Sequence, residues 1–152
     1  MKKTLYIVGC GAKKRDAGTL VKYLYIGGLF VAASRYAERV SATEGGDWVV
    51  FSAHHGLMNP HGWISPYNLT MTEAIQRDGR AAVVSRHRLS LDLRIGGHRY
   101  TRIEIHAGAV YAGIIREAAE GLGVEIVEPL QGKQIGERLH WYKQQETSRE
   151  NL

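Results

Sequence analysis

The chain has 152 residues, and its 44% hydrophobic and 23% charged residues are ordinary for a globular protein, so one domain with a real core is expected. A single cysteine, Cys10, excludes an internal disulfide and a multi-cysteine metal site, and no apolar run is long enough to cross a bilayer. Twenty Lys and Arg against fifteen Asp and Glu give a formal charge of +5, which attracts anions, nucleic acid and phosphorylated ligands included, and serves solubility equally well.

The start MKKTLYIVGCGAKK resembles a signal peptide only briefly, because its apolar core is Leu5 to Val8 and charge returns at Lys13. Lys3 to Val8 reads instead as a strand, ending in the turn GCGAKKRDAG. In LFVAASRYAERVSA, Leu29, Ala33, Tyr36, Ala37 and Val40 recur at helical spacing, opposite Arg35, Glu38 and Arg39. Trp48 to Ser52 is a second apolar strand. After it comes FSAHHGLMNPHGWISPYNLTM, a long loop with three of the seven histidines, two of the three prolines and one of the three tryptophans. A helix resumes near Thr72, and Gly79 leaves one helix or two open. TRIEIHAG is a third strand in which Ile103 and Ile105 alternate with Arg102 and Glu104. Val110, Ile114, Ala118 and Leu122 stripe the next helix, closed by Gly121 and Gly123. VEIVEPL is a fourth strand, and a last helix runs roughly from Lys133 to Gln145.

Strand and helix alternate four times, which implies an α/β fold: a three-layer, Rossmann-like arrangement with a mostly parallel four-stranded sheet and helices on both faces. Residues 1–146 form a single domain in this reading, and 147–152 a polar, frayed tail.

In open α/β sheets ligands collect beyond the carboxyl ends of the strands. That rule gathers Gly9, Cys10, Gly11, Lys13 and Lys14 from the first loop, and Ser52, His54 and His55 from the second. It adds His106 and Gly108 from the third, with Glu128 and Gln131 from the fourth. GCGAKK suits a phosphate, through two glycines and two ammonium groups, or is simply a tight turn with solvated lysines. It lacks the dinucleotide fingerprint and the phosphate-loop spacing, which disfavours NAD and ATP. Cys10 is either a nucleophile or a small buried residue at a strand end. His54 and His55, adjacent on an extended backbone, would face opposite ways and could not clasp one metal; one of them suits acid, base or hydrogen-bond work. Trp63 and Tyr67 could stack on a planar heterocycle, with Ser65 and Asn68 at its edge, or could pin the loop to the core. His61, His87, His98 and His140 read as surface residues. Arg77, Arg80, Arg86, Arg88, Arg94, Arg99 and Arg102 make a basic central region or a solvated helix face. No Ser-His-Asp order, G-x-S-x-G elbow or glycosidase carboxylate pair is visible.

VGCGAKK, LYIGGLFVAASRYAE, FSAHHGLMNPHGWISPYNLT, the AGAVY turn and PLQGKQIGERLHWYK together resemble an uncharacterised domain of bacteria and their phages. Its pattern is a Cys-Ser/Gly-x-Lys-Lys turn, Ser-Ala-x-His-Gly-Leu, Pro-Tyr-Asp and Pro-Leu-x-Gly-x-x-Ile-Gly. That domain is distantly similar to the YaaA peroxide-stress proteins, the central domain of archaeosine synthase, and phage pyrophosphorylases that modify thymine in DNA. The resemblance implies a three-layer fold and chemistry on nucleobases. It carries over Cys10, Lys13, Lys14, Ser52, His55, Gly56, Pro66, Tyr67 and Gly132 as site residues. Asn68 stands where the pattern has Asp, which removes a carboxylate from the site.

The expectation is a cytoplasmic enzyme acting at a sugar-base bond or base substituent of a nucleotide or DNA base. His55, Cys10 and Ser52 would be catalytic. Gly9, Gly11, Lys13, Lys14, Trp63, Pro66, Tyr67, Asn68, His106 and Gly132 would bind substrate, with no metal, no cofactor and no membrane partner. The alternatives are a noncatalytic binder of nucleic acid or nucleotides, and an inhibitor that sequesters a partner or a signalling nucleotide.

Overall fold

The computed structural model describes residues 3–96 and 100–150. His98, read above as a surface residue, and Arg99 of the basic region therefore lie outside the described residues. Strand β1 (Lys3–Gly9) is the centre of a five-stranded sheet, with β3 (Gly46–Ser52) and β6 (Tyr100–His106) parallel on its two sides. Beyond β6 comes β7 (Glu125–Val127), also parallel, and beyond β3 comes β4 (Gly56–Met58), which is antiparallel. The order is β4-β3-β1-β6-β7. The four parallel strands match the sequence expectation in kind and place, but the sheet has five strands, not four.

The extra strand comes from a hairpin inside the long loop. Ala53–His55 is a tight turn, Ser52 pairs with Gly56, and Gly56 takes φ +69°, a left-handed conformation that a side chain resists. A Cβ there would also meet Ser90 Oγ at 2.8 Å. Three residues are too few to show a two-residue alternation, so β4 left no periodic trace. A second, two-stranded sheet pairs β2 (Thr19–Leu20) with β5 (Trp63–Ile64), antiparallel, and ties the loop after β3 to the loop after β1.

Successive residues of β1 point to opposite faces, and both faces are buried, as a central parallel strand requires. Leu5 and Ile7 enter one core with residues of α3 (Met71–Asp78), α4 (Arg80–Ile95) and α5 (Ala109–Ala119). Tyr6 and Val8 enter a second core with α1 (Val21–Leu24), α2 (Gly28–Glu44) and Tyr142 of α6 (Ile135–Glu150). Each large apolar side chain so buried stabilises the fold by roughly 1.5–3 kcal/mol.

Gly79, at φ +87°, separates α3 from α4, so the stretch after Thr70 holds two helices. Thr70 caps α3: its Oγ1 accepts from the Glu73 N–H at 3.1 Å and donates to the Glu73 carboxylate at 3.1 Å. Helix α6 runs through Glu150, past the expected end at Gln145. His87 corrects the surface reading. On α4 it is 2% exposed and packs its ring 4.7 Å from that of Phe51. The polar face of β6 is likewise inside: Glu104 and His106 are buried under α2 and α6. No helix among the described residues is long and apolar enough to cross a membrane.

Strand β1 has β3 on one side and β6 on the other, so the chain reverses its direction of travel across the sheet between β1 and β6. Such a switch opens a crevice at the carboxyl ends of the two strands.

Candidate functional site

The β1 ladder extends one residue past the strand, because the Cys10 N–H donates to Phe51 O at 2.9 Å. This fixes the start of the GCGAKK turn against the end of β3. The Cys10 thiol lies 3.6 Å from the Tyr111 hydroxyl, which also accepts from the Met71 N–H at 3.3 Å and so ties α5 to the first turn of α3. On the other side, Cys10 and Ser52 adjoin the Tyr67 hydroxyl, which shares a short hydrogen bond with the Tyr25 hydroxyl. Ser52 is fully buried, and its Oγ accepts from the His55 N–H at 2.8 Å, closing the hairpin turn.

A second ring of groups surrounds Tyr67. His54 stacks on it at 5.5 Å between ring centroids, His55 meets it edge-on at 4.9 Å, and the Lys14 ammonium lies 5.1 Å from its centroid. The two imidazoles are themselves 4.4 Å apart. They do not point opposite ways as an extended backbone would make them, because both lie at the tight turn between β3 and β4.

The electrostatics follow from burial. Tyr67 is pushed up to about 12, first by burial and then by its electrostatic interaction with Cys10. Tyr111 is raised for the same reasons, and Tyr25 by burial and its bond to Tyr67. These three phenols therefore remain neutral, with the Cys10 thiol donating to the Tyr111 hydroxyl and Tyr25 bonded to Tyr67. His55 is lowered from the usual imidazole value by burial and by neighbouring His54, which favours the neutral ring that accepts a proton.

On the far side of Cys10 a recess of about 100 Å³ opens between the ends of β1 and β6, lined by Cys10, Gly11, His106, Gly108, Arg138 and Tyr142 among others. Gly9 is required at its edge, since a Cβ there would come within 2.8 Å of Ala107 Cβ. Behind the recess runs a buried polar row. The Tyr36 hydroxyl donates to Glu104 Oε2 at 3.0 Å, His106 Nε2 lies 2.7 Å from that same oxygen, and His106 Nδ1 lies 2.7 Å from the Tyr142 hydroxyl. Arg102 also donates to Glu104 Oε1 at 3.2 Å. Burial raises the Glu104 carboxyl, but the hydrogen bond and charge of His106, with Tyr36 and Arg102, outweigh it and hold the group below its usual value.

The candidate residues thus fall into separate places. Cys10, Lys14, Ser52, His54, His55 and Tyr67 form one cluster. Gly9, Gly11 and His106 belong to the recess. Lys13, Pro66 and Asn68 are exposed. Trp63 is 73% exposed and covers Gly18, where a Cβ would stand 2.9 Å from its ring. Gly132, at φ +78°, lines a different cavity of about 80 Å³ with Arg116, Glu128 and Gln131. Sequence reasoning missed Tyr25, Tyr111, Tyr142 and Arg138. AGAVY and GERLHWYK contain three of these, but nothing in their spacing announces a contact across about a hundred residues with Cys10.

No group of three or more His, Cys, Asp and Glu among the described residues is arranged to hold a metal ion. The cluster offers a thiol among neutral phenols, two imidazoles at the surface, and an ammonium over an aromatic face. No curated protein matches the sequence. A model of a family of unknown function, DUF6884, matches residues 5–144, and the chain belongs to that family.

Proposed function

We propose that the protein is an enzyme that binds a nucleotide or a nucleobase in DNA and makes or breaks a bond at the sugar or at a base substituent. The observation that carries this reading is the convergence on Tyr67: an aromatic ring bearing two imidazoles and an ammonium, with Cys10 and Ser52 beneath it. Tyr67 supplies a face for a base, Lys14 and the glycine turn a place for phosphate, and neutral His55 a proton acceptor. Lys13, Trp63, Pro66 and Asn68 would act from the exposed rim. The three-layer, Rossmann-like reading of the architecture belongs to this proposal, supported by the two cores on opposite sheet faces. So does kinship with the YaaA proteins and the archaeosine synthase domain.

The test begins with denaturing the purified protein and identifying any retained small molecule by mass spectrometry. The protein is then incubated with nucleoside monophosphates and single-stranded DNA, and released bases or altered nucleotides are followed by chromatography. His55→Ala and Lys14→Ala should each reduce binding or turnover about tenfold or more. Unchanged binding and turnover in both variants would refute the reading.

A noncatalytic nucleic-acid binder is the second reading. A groove of about 540 Å³ lined by Arg15, Lys22 and Arg35, with half-exposed Tyr23, favours it. Binding to any single strand with a steep salt dependence and no change in the strand would decide for it.

A further inference from the structure

We propose that the recess between the carboxyl ends of β1 and β6 is a binding site for a tetrahedral oxyanion of phosphate size, held by Arg138, the Tyr142 hydroxyl and free backbone amides. This goes beyond the reading above, which puts phosphate at Lys14 and the glycine turn; the two share the glycines of that turn, while Arg138 and Tyr142 belong to the recess and not to the Tyr67 cluster.

Size selects the ligand. At about 100 Å³ the recess has room for several waters or for a group of a few heavy atoms, and not for a nucleoside. Its position is the strand-order switch, where an open α/β sheet presents unpaired backbone and helix ends.

Charge selects an anion. Arg138 is anchored at two points, donating from Nε to Lys133 O at 2.8 Å and from Nη1 to Ala107 O at 2.9 Å. Those bonds fix the guanidinium between the recess and the neighbouring cavity of Gly132, both of which Arg138 lines, and leave Nη2 with no partner among the described residues, a fixed donor of the kind that holds oxyanions. The first turn of α2 borders the same space through Leu29 and Phe30, and Gly108, the residue before α5, lies beside it. Neither helix has a side-chain cap, so their first N–H groups are open to an acceptor. Gly11 adds another amide on the β1 side.

The Tyr142 hydroxyl completes the set. Glu104 accepts from Tyr36 and Arg102 as a carboxylate, so His106 must donate to it from Nε2. Nδ1 then either accepts from Tyr142 or, when protonated too, donates to it and frees the phenol hydrogen to turn into the recess. An anion there favours the second arrangement. Glu104, the one carboxylate of this row, is separated from the recess by His106 and neutralised by it and Arg102.

The experiment is a titration of the ¹⁵N-labelled protein with inorganic phosphate, read by amide chemical shifts, against potassium chloride at matched ionic strength. Saturable shifts are expected at Gly11, Leu29, Phe30 and Gly108. Arg138→Met should weaken binding about tenfold or more, from the loss of a charge-assisted bond, and Tyr142→Phe severalfold. Should Arg138→Met fold poorly, Ala33→Met fills the recess from the α2 wall and should abolish the response. Shifts confined to Lys13 and Lys14, equal shifts with chloride, or full binding by Arg138→Met would overturn the proposal. His55→Ala and Lys14→Ala should keep the phosphate response, so this inference and the nucleotide reading stand or fall separately.

Discussion

Two histidines lie buried on opposite faces of the same sheet, and their surroundings could hardly differ more. His106 is 3% exposed, and both its ring nitrogens are within 2.7 Å of a partner, a carboxylate on one side and a phenol on the other. His87 is 2% exposed, lies against Phe51, and neither of its nitrogens has a hydrogen-bond partner among the described residues. The first has a partner at each of its own nitrogens, and removing it strands the buried Glu104 carboxylate. The second is a polar ring used as filler, tolerated only while it carries no charge. Burial therefore says little about what a histidine is worth until its partners are named.

Breaking the network should have the largest effect. His106→Ala strands the Glu104 carboxylate without its main partner, and chemical denaturation should show a loss of about 3–5 kcal/mol. A loss below about 1 kcal/mol would mean that the row relaxes freely to water, contrary to the geometry.

Acid should come next, through His87. Burial, helped by neighbouring Arg86, lowers its pKa from 6.5 to about 4. Between those values the unfolded chain binds a proton that the folded chain refuses, so stability rises with pH across the window and is lost as pH falls through it. The gap corresponds to about 3 kcal/mol. Glu104, held below its usual value, adds its own loss on acidification, so the His87 share is isolated by His87→Leu. That variant should match or slightly exceed the wild type at pH 7.5 and lead it by about 3 kcal/mol near pH 4, measured by urea unfolding at each pH. Parallel pH curves for the two proteins would contradict this assignment.

The smallest effect sharpens the comparison within the network. Tyr36→Phe removes one donor to a carboxylate that keeps His106 and Arg102, and should cost about 1.5–3 kcal/mol in the same assay, less than His106→Ala.

The burial of His87 could not be read from the sequence because α4 carries weak amphipathy: Arg86 and Arg88 flank His87, and nothing in the local pattern marks its position as inward. The burial of Glu104 was hidden for a related reason, whereas His106 was named as a site residue from its place after the third strand. Alternation within TRIEIHAG shows which residues share a face, but not that β6 is an inner strand with both faces covered. The four parallel strands were legible from the apolar runs of β1 and β3, the alternation of β6 and the short apolar stretch of β7, each with a glycine nearby. The residues beyond the carboxyl ends were legible only in part: Cys10, Ser52, His54 and His55 come together, while His106 and Gly108 line the recess and Glu128 and Gln131 a further cavity. Tyr67 was singled out by the unusual composition of its loop. Tyr25, Tyr111 and Arg138 were not legible, since each reaches the site from a helix or loop whose local pattern serves packing equally well.

The outer strands of the large sheet, Gly56–Met58 and Glu125–Val127, are three residues each. A foreign strand seeking to extend the sheet at either border would find only a few free amides and carbonyls to grip, so the architecture guards itself against growing sideways into fibres.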